Sequence, residues 1–161
     1  MKNIIAFFIC LTFSISQGQN KPRVNYDPSS TEYKEYYTTL LDMYKKMYDS
    51  ELGIKVYQAR ENFRLKANYN KSFQDEKYQS LSGEEMALAW VEDHLEQTEF
   101  ESMDEARSLF NKQTEMGKQL IWENIDLYKY SKEAMQVCGS EIMADVWKEL
   151  HILYGSNRFM Y

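Results

Sequence analysis

Residues that break helices or make tight turns are scarce in this sequence. Only six glycines and two prolines occur among 161 residues, and both prolines, Pro22 and Pro28, precede the first segment with a regular hydrophobic pattern. A β-sandwich or β-barrel needs a turn signal roughly every 8 to 12 residues. The scarcity of such signals excludes these all-β folds and predicts an all-α fold.

The only long apolar run lies at the start of the chain. It extends over residues 4–13, follows Lys2, and is followed by the small residues Ser16 and Gly18. This layout is typical of a secretory signal peptide, and the run is shorter than the roughly 20 apolar residues of a transmembrane helix. We therefore expect residues 1–18 to be a signal peptide, with the mature protein secreted or periplasmic. The alternative interpretation is a buried N-terminal helix.

Cysteine is almost absent, with Cys10 in the apolar run and Cys138 near the C-terminus. A lipoprotein signal requires a small residue before the cysteine, and Ile9 occupies that position, so no stable membrane anchor is expected. Removal of 18 residues from 161 leaves 143, with Cys138 as the only cysteine. The mature chain cannot form an internal disulfide. It must be stabilised by the hydrophobic core of one domain.

Hydrophobic residues recur at three- and four-residue steps from Ser30 to Gly155. This pattern predicts an antiparallel bundle of about five amphipathic helices over residues 30–155. A flexible leader, residues 19–29, should precede the bundle, and a loose tail, residues 156–161, should follow it. The first expected helix runs from Ser30 to about Leu52, where Gly53 ends or kinks it, and the second runs to about Asn68, before an uncertain stretch through Ser82. The third is opened by the Ser82–Glu85 capping box. The fourth is opened by the Ser102–Glu105 capping box and runs to about Val137, with a possible break near Tyr130 and Ser131, and the last runs from a Ser140 cap after Gly139 to Gly155.

Motifs for catalysis, metal binding and nucleotide binding are missing. The chain contains no Gly-x-Ser-x-Gly, no His-Glu-x-x-His and no glycine-rich phosphate loop. Neither His94 nor His151 has a second metal ligand three or four residues away, so no metal or cofactor is expected. Cys138 lies at a predicted helix C-terminus, where the helix dipole disfavours a thiolate.

Tyrosine is abundant by contrast, with 13 residues, nine of them between Tyr26 and Tyr78. Those that share one face of the first helix are expected in the core, and three others are expected to be exposed. The core set is Tyr33, Tyr37, Tyr44 and Tyr48, and the exposed set is Tyr36, Tyr57 and Tyr69.

Positive charge is absent from residues 84–105, which carry nine carboxylates, while the whole chain has a net charge of −6. This balance argues against nucleic acid and anionic membranes as partners and favours a basic or neutral protein. Four of the carboxylates lie in the first turns of predicted helices, where the helix dipole favours them. The other five do not lie in the first turn of a predicted helix: Glu92, Asp93, Glu96, Glu99 and Glu101.

The sequence thus predicts a protein that acts by binding, with these five carboxylates docking a basic protein or peptide. One alternative is a solvated helix face that lies opposite Arg60, Arg64 and Lys66 of the second helix. Another is a small hydrolase or lyase that uses a helix-borne glutamate together with His94. The oligomeric state is not indicated by the sequence.

Overall fold

The computed structural model describes residues 26–68, 77–78, 81 and 83–155. Residues 1–18, most of the leader, Ser82 and the tail 156–161 lie outside the described residues. Within the described part the structure has six α-helices, one 3-10 turn and no strand, which confirms the all-α prediction. Among these helices none combines the length and apolarity that crossing a bilayer requires. The helices are α1 (Thr31–Asp49), α2 (Glu51–Lys66), α3 (Gly83–Asp93), α4 (Met103–Glu123), α5 (Ile125–Cys138) and α6 (Glu141–Tyr154), with the 3-10 turn at Leu95–Gln97.

Helix α1 ends earlier than predicted, because Ser50 caps two helices at once. The Ser50 backbone is extended (φ −65°, ψ 155°), and the Ser50 hydroxyl donates to the Met47 carbonyl at 2.7 Å and accepts from the Gly53 amide at 2.9 Å. The prediction that Gly53 ends the helix is therefore wrong, since Gly53 lies in the first turn of α2. An added Cβ there would lie 2.3 Å from the Met47 carbonyl oxygen, so the close approach of α1 and α2 requires glycine.

The predicted long fourth helix is also divided, at Asn124 and not near Tyr130. The Asn124 side chain donates to the Leu120 carbonyl at 2.8 Å and so occupies an acceptor that a continuing helix would use. Its own backbone departs from helical geometry (φ −118°, ψ 29°), and α5 starts at the next residue. Ser131, the predicted restart, lies inside α5 with its hydroxyl bonded to the Leu127 carbonyl.

Of the other predicted caps that lie in the described residues, all but one match the sequence signals; Ser82 of the Ser82–Glu85 box lies outside them. Ser102 accepts from the Glu105 amide at 3.2 Å, and the Glu105 carboxylate accepts from the Glu101 amide at 2.7 Å, which closes the predicted capping box one residue further back. Gly139 (φ 90°) and Gly155 (φ 76°) end α5 and α6 as predicted. Ser140 precedes α6, but its side chain caps no backbone amide of that helix.

Ser102 forms a capping bond and Ser140 does not, which gives a matched pair of variants. Ser102→Ala should lower the free energy of unfolding by about 1 kcal/mol, because the Glu105 amide loses its acceptor. Ser140→Ala should change it by less than about 0.5 kcal/mol, because no capping bond is lost. Urea denaturation followed by circular dichroism measures both, and equal effects would contradict the assignment of the caps.

The first two helices pack against α4 and α5 in antiparallel fashion. Lys66 and Glu105 form an ion pair at one end of the α2–α4 contact, and the Phe63 and Phe110 rings meet at 5.3 Å further along. Contacts between α1 and α5 follow the same reversed order, from the Tyr36–Glu133 hydrogen bond to the approach of Tyr128 to Met47.

Helix α6 departs from the predicted all-antiparallel arrangement. Tyr33 near the start of α1 bonds to Asp145 near the start of α6, and Asp49 at the end of α1 bonds to Tyr154 at the end of α6. The two helices therefore run in the same direction. The expectation of about five antiparallel helices is corrected to six described helices with one parallel pair.

The buried residues form two clusters. The first core cluster is formed mainly by α1, α5 and α6, with Val56 of α2 and Leu120 of α4, and the second mainly by α2, α3 and α4. The first cluster thus joins the first described helix to the last two. The first cluster is centred on Leu40, Tyr44, Leu127, Ile142, Val146 and Leu150, and the second on Phe63, Trp90, Val91, Ala106 and Phe110.

A sequence repeat accompanies this arrangement. The segments EEMALAWVEDHL (residues 84–95) and EIMADVWKELHI (residues 141–152) are identical at six of twelve positions. They include both histidines and two of the three tryptophans. In each segment the histidine Nδ1 bonds to the carbonyl of the tryptophan four residues earlier, at 2.9 Å for His94 and 2.8 Å for His151. Helices α3 and α6 thus share a similar sequence and the same histidine–tryptophan contact.

Candidate docking surface at the end of α3

The five predicted docking residues follow one another along a single stretch of chain. Glu92 and Asp93 end α3, Glu96 lies in the 3-10 turn, and Glu99 and Glu101 lie in the link to α4. All five are exposed. The structure thus brings them to one end of α3.

This stretch is held against the end of α2. The Glu99 amide donates to the Lys66 carbonyl at 2.7 Å, and the Asn68 side chain donates to the Gln97 carbonyl at 3.3 Å. Phe100, the residue next to Glu99, is buried in the second core cluster. The backbone that carries the carboxylates is therefore anchored on both sides of Glu99.

Asp93 differs from the other four because it is used internally. Its carboxylate accepts from the Lys77 ammonium at 2.6 Å and from the Tyr78 hydroxyl at 2.5 Å, and Tyr78 is only 2% exposed. The bonds from Lys77 and Tyr78 hold the pKa of Asp93 below its usual range. Asp93 thus fixes residues 77–78 against α3, while 37% of its side chain stays exposed.

Three further carboxylates of the acidic stretch have cationic neighbours. Glu105 pairs with Lys66 at 2.5 Å, and this bond, with the Glu101 amide, holds the pKa of Glu105 below its usual range. Asp104 and Glu92 share Arg107, at 3.8 and 3.9 Å. Exposed pairs at this distance contribute little energy. Glu92 therefore remains accessible, with 63% of its side chain exposed.

Glu96, Glu99 and Glu101 form no ion pair with any residue in the described part of the chain. Lys66 lies close enough to interact with two of them: its pKa is raised mainly by the bond to Glu105 and further by the charges of Glu101 and Glu99. One lysine thus faces three carboxylates. The excess negative charge predicted from the sequence remains at this end of α3.

The second helix compensates this charge only in part. Of the three cations expected to face the acidic stretch, Lys66 does so, whereas Arg64 pairs with Glu61 on its own helix. An Arg60 guanidinium nitrogen lies 3.3 Å from the position of a Cβ on Gly117 of α4. The solvated-face alternative thus has one of its three predicted contacts.

His94 does not have the contacts of a catalytic base. Its ring stacks on Trp90 with centroids 4.7 Å apart, its Nδ1 bonds to the Trp90 carbonyl, and no described carboxylate is hydrogen-bonded to it. Cys138 is buried, which raises the pKa of its thiol. No group of three potential metal ligands occurs within the described residues.

The sequence analysis missed the residues that decide which carboxylates stay available, namely Lys77, Tyr78 and Arg107. The Asp104–Arg107 spacing of three residues was a readable helical signal. Lys77 and Tyr78 gave no such signal, because they reach Asp93 through the tertiary fold.

Comparison of the chain with protein-family models, with curated proteins and with solved structures finds no match.

Proposed function

We propose that this chain is an exported protein that acts by binding, and that Glu92, Glu96, Glu99 and Glu101 form a docking surface for a basic protein or peptide. The observation that carries the proposal is the set of three exposed carboxylates, Glu96, Glu99 and Glu101, without an ion pair in the described part of the chain. Surface charge of one sign speeds the encounter with an oppositely charged partner and orients it. Export is inferred from the composition of residues 1–18.

The anchored backbone supports this use of the charge. A carboxylate on a fixed segment loses less conformational freedom on binding than one on a free chain. Asp93 is the weakest candidate of the five because Lys77 and Tyr78 already bond to its Oδ2. The hydrolase or lyase interpretation has no supporting contact at His94 and is not proposed.

A charge-reversal experiment tests the docking surface. The triple variant Glu96→Lys, Glu99→Lys, Glu101→Lys should bind an octalysine peptide at least about tenfold more weakly than the parent chain, and the parent's affinity should fall as salt rises. The matched control reverses three exposed carboxylates elsewhere, Glu35, Asp42 and Glu123, and so changes the net charge equally. Biolayer interferometry over a salt series gives the affinities, and circular dichroism checks that the helices persist.

Equal losses in the two triple variants would show that only net charge matters, and would contradict a docking surface at this place. Binding of the peptide by neither the parent nor the control would contradict it as well.

Export has its own measurement: mass spectrometry of the protein recovered outside the cytoplasm should show that residues 1–18 are missing, and an intact Met1 would overturn that part of the proposal.

A further inference from the structure

A groove of about 420 Å³ lies between α1 and α6, away from the acidic stretch in sequence. Its wall combines aromatic rings, two ammonium groups and two carboxylates. The Tyr33 and Tyr37 rings are stacked with centroids 6.3 Å apart, and they form the aromatic side. The lining residues are Pro28, Tyr33, Lys34, Tyr37, Asp145, Lys148 and Glu149.

Asp145 is held in place by two tyrosines. The hydroxyls of Tyr33 and Tyr26 both donate to its carboxylate, the latter at 2.6 Å. These two bonds hold the pKa of Asp145 below its usual range, so it is a carboxylate at neutral pH. Tyr33 itself is only 5% exposed, which makes this part of the groove rigid.

The other charged groups of the groove have no ion-pair partners among the described residues. Three of the lining residues, Lys34, Lys148 and Glu149, take part in no ion pair or side-chain hydrogen bond there. The two ammonium groups and the two carboxylates balance, so the groove has no net charge. A groove of this kind offers donors and acceptors together but does not favour a strongly charged ligand.

The similar segment of α3 has apolar residues at two of the groove positions. At the positions of Asp145 and Lys148, helix α3 has Leu88 and Val91. Val91 is fully buried and Leu88 packs against the second core cluster. Where α3 buries apolar side chains, α6 presents charged side chains to the groove. Asp145 also bonds to the buried Tyr33, whereas Lys148 has no ion pair or side-chain hydrogen bond among the described residues.

We propose that this groove binds a neutral carbohydrate. The exposed part of the Tyr37 ring offers a flat apolar surface to the C–H face of a sugar ring. Sugar hydroxyls both donate and accept hydrogen bonds, so they satisfy the carboxylate of Glu149 and the ammonium of Lys148 together. The balanced charge disfavours phosphorylated ligands and cationic peptides alike.

The test is isothermal titration calorimetry with neutral hexasaccharides of glucose, xylose, mannose and N-acetylglucosamine. At least one should bind with a Kd below about 1 mM. Glu149→Gln, which keeps the shape of the side chain, and Tyr37→Leu should each weaken that binding at least about tenfold. Trp122→Ala removes an aromatic ring that is 66% exposed outside the groove, and it should leave the affinity unchanged.

The groove proposal is overturned if no hexasaccharide binds at concentrations up to about 10 mM. It is also overturned if Glu149→Gln and Tyr37→Leu bind as the parent does, or if the groove takes only phosphorylated sugars or peptides. The Glu149→Gln result keeps the test valid if Tyr37→Leu fails to fold. Octalysine binding, measured on the same variants, should be unaffected, which separates this site from the acidic docking surface.

Discussion

Replacing Gly53 by alanine is expected to lower the free energy of unfolding by at least about 2 kcal/mol, although alanine is the better helix former. The new Cβ would meet the Met47 carbonyl oxygen at 2.3 Å and the Tyr48 carbonyl oxygen at 2.9 Å. Both oxygens belong to backbone at the end of α1, which cannot move without opening the junction at Ser50. Urea denaturation of the variant and the parent chain measures the loss.

Gly117→Ala is the matched control, because Gly117 is also a buried glycine inside a helix. Its added Cβ would meet only an Arg60 guanidinium nitrogen, at 3.3 Å, and that group ends a flexible side chain. Its stability should stay within about 1 kcal/mol of the parent, since helix propensity offsets the small displacement. Comparable losses in the two variants would show that the α1–α2 junction does not require glycine.

Raising the pH above about 10 should unfold the protein cooperatively. Burial raises the pKa of Tyr33, Tyr44 and Tyr128, and the bond to Asp145 raises that of Tyr33 further. Above the ordinary tyrosine pKa the unfolded chain loses protons that the folded chain keeps, so stability falls as pH rises. Each tyrosine contributes a slope of about 1.4 kcal/mol per pH unit, and three together about 4 kcal/mol.

Tyrosinate absorbance and helical ellipticity, recorded together, test this expectation. The part of the tyrosinate absorbance that comes from these three buried hydroxyls should appear together with the loss of ellipticity, because they ionise only on unfolding. Tyr44→Phe removes one ionisable group whose hydroxyl lies 3.5 Å from Ser131, a weak contact, so its transition should move to higher pH. Full tyrosinate absorbance with intact helices would contradict the burial of these hydroxyls.

The helices and most of their caps could be predicted from the sequence because their signals are local. Ser102 with Glu105, Gly139 and Gly155 acted through backbone groups within a few residues. The breaks at Ser50 and Asn124 could not be predicted in the same way. Serine and asparagine end a helix only when their side chains bond to the backbone instead of solvent. At Ser50 and Asn124 the side chains bond to backbone carbonyls at the junction of two helices, and the sequence does not indicate this.

The candidate sites show the same difference between features with a local sequence signal and features that depend on tertiary contacts. The excess charge at Glu96, Glu99 and Glu101 was visible in the sequence, because no basic residue lies near them in the chain. The internal role of Asp93 was not visible. The groove was missed for the same reason: Tyr33 and Asp145 are 112 residues apart in sequence, and the helical pattern assigned Tyr33 to the core.

The first core cluster, which joins α1 to the last two helices, has a consequence for the rate and order of folding. Helical bundles usually fold fast because their contacts are local, whereas the first core cluster joins α1 to α6 across more than a hundred residues. During synthesis α1 can pack against α2 early, but its face toward α5 and α6 is covered only after those helices are made. The apolar face of α1, with its row of tyrosines, therefore stays partly uncovered until the last two helices have been made, and a chaperone or a transient misfolded contact can bind it during that interval.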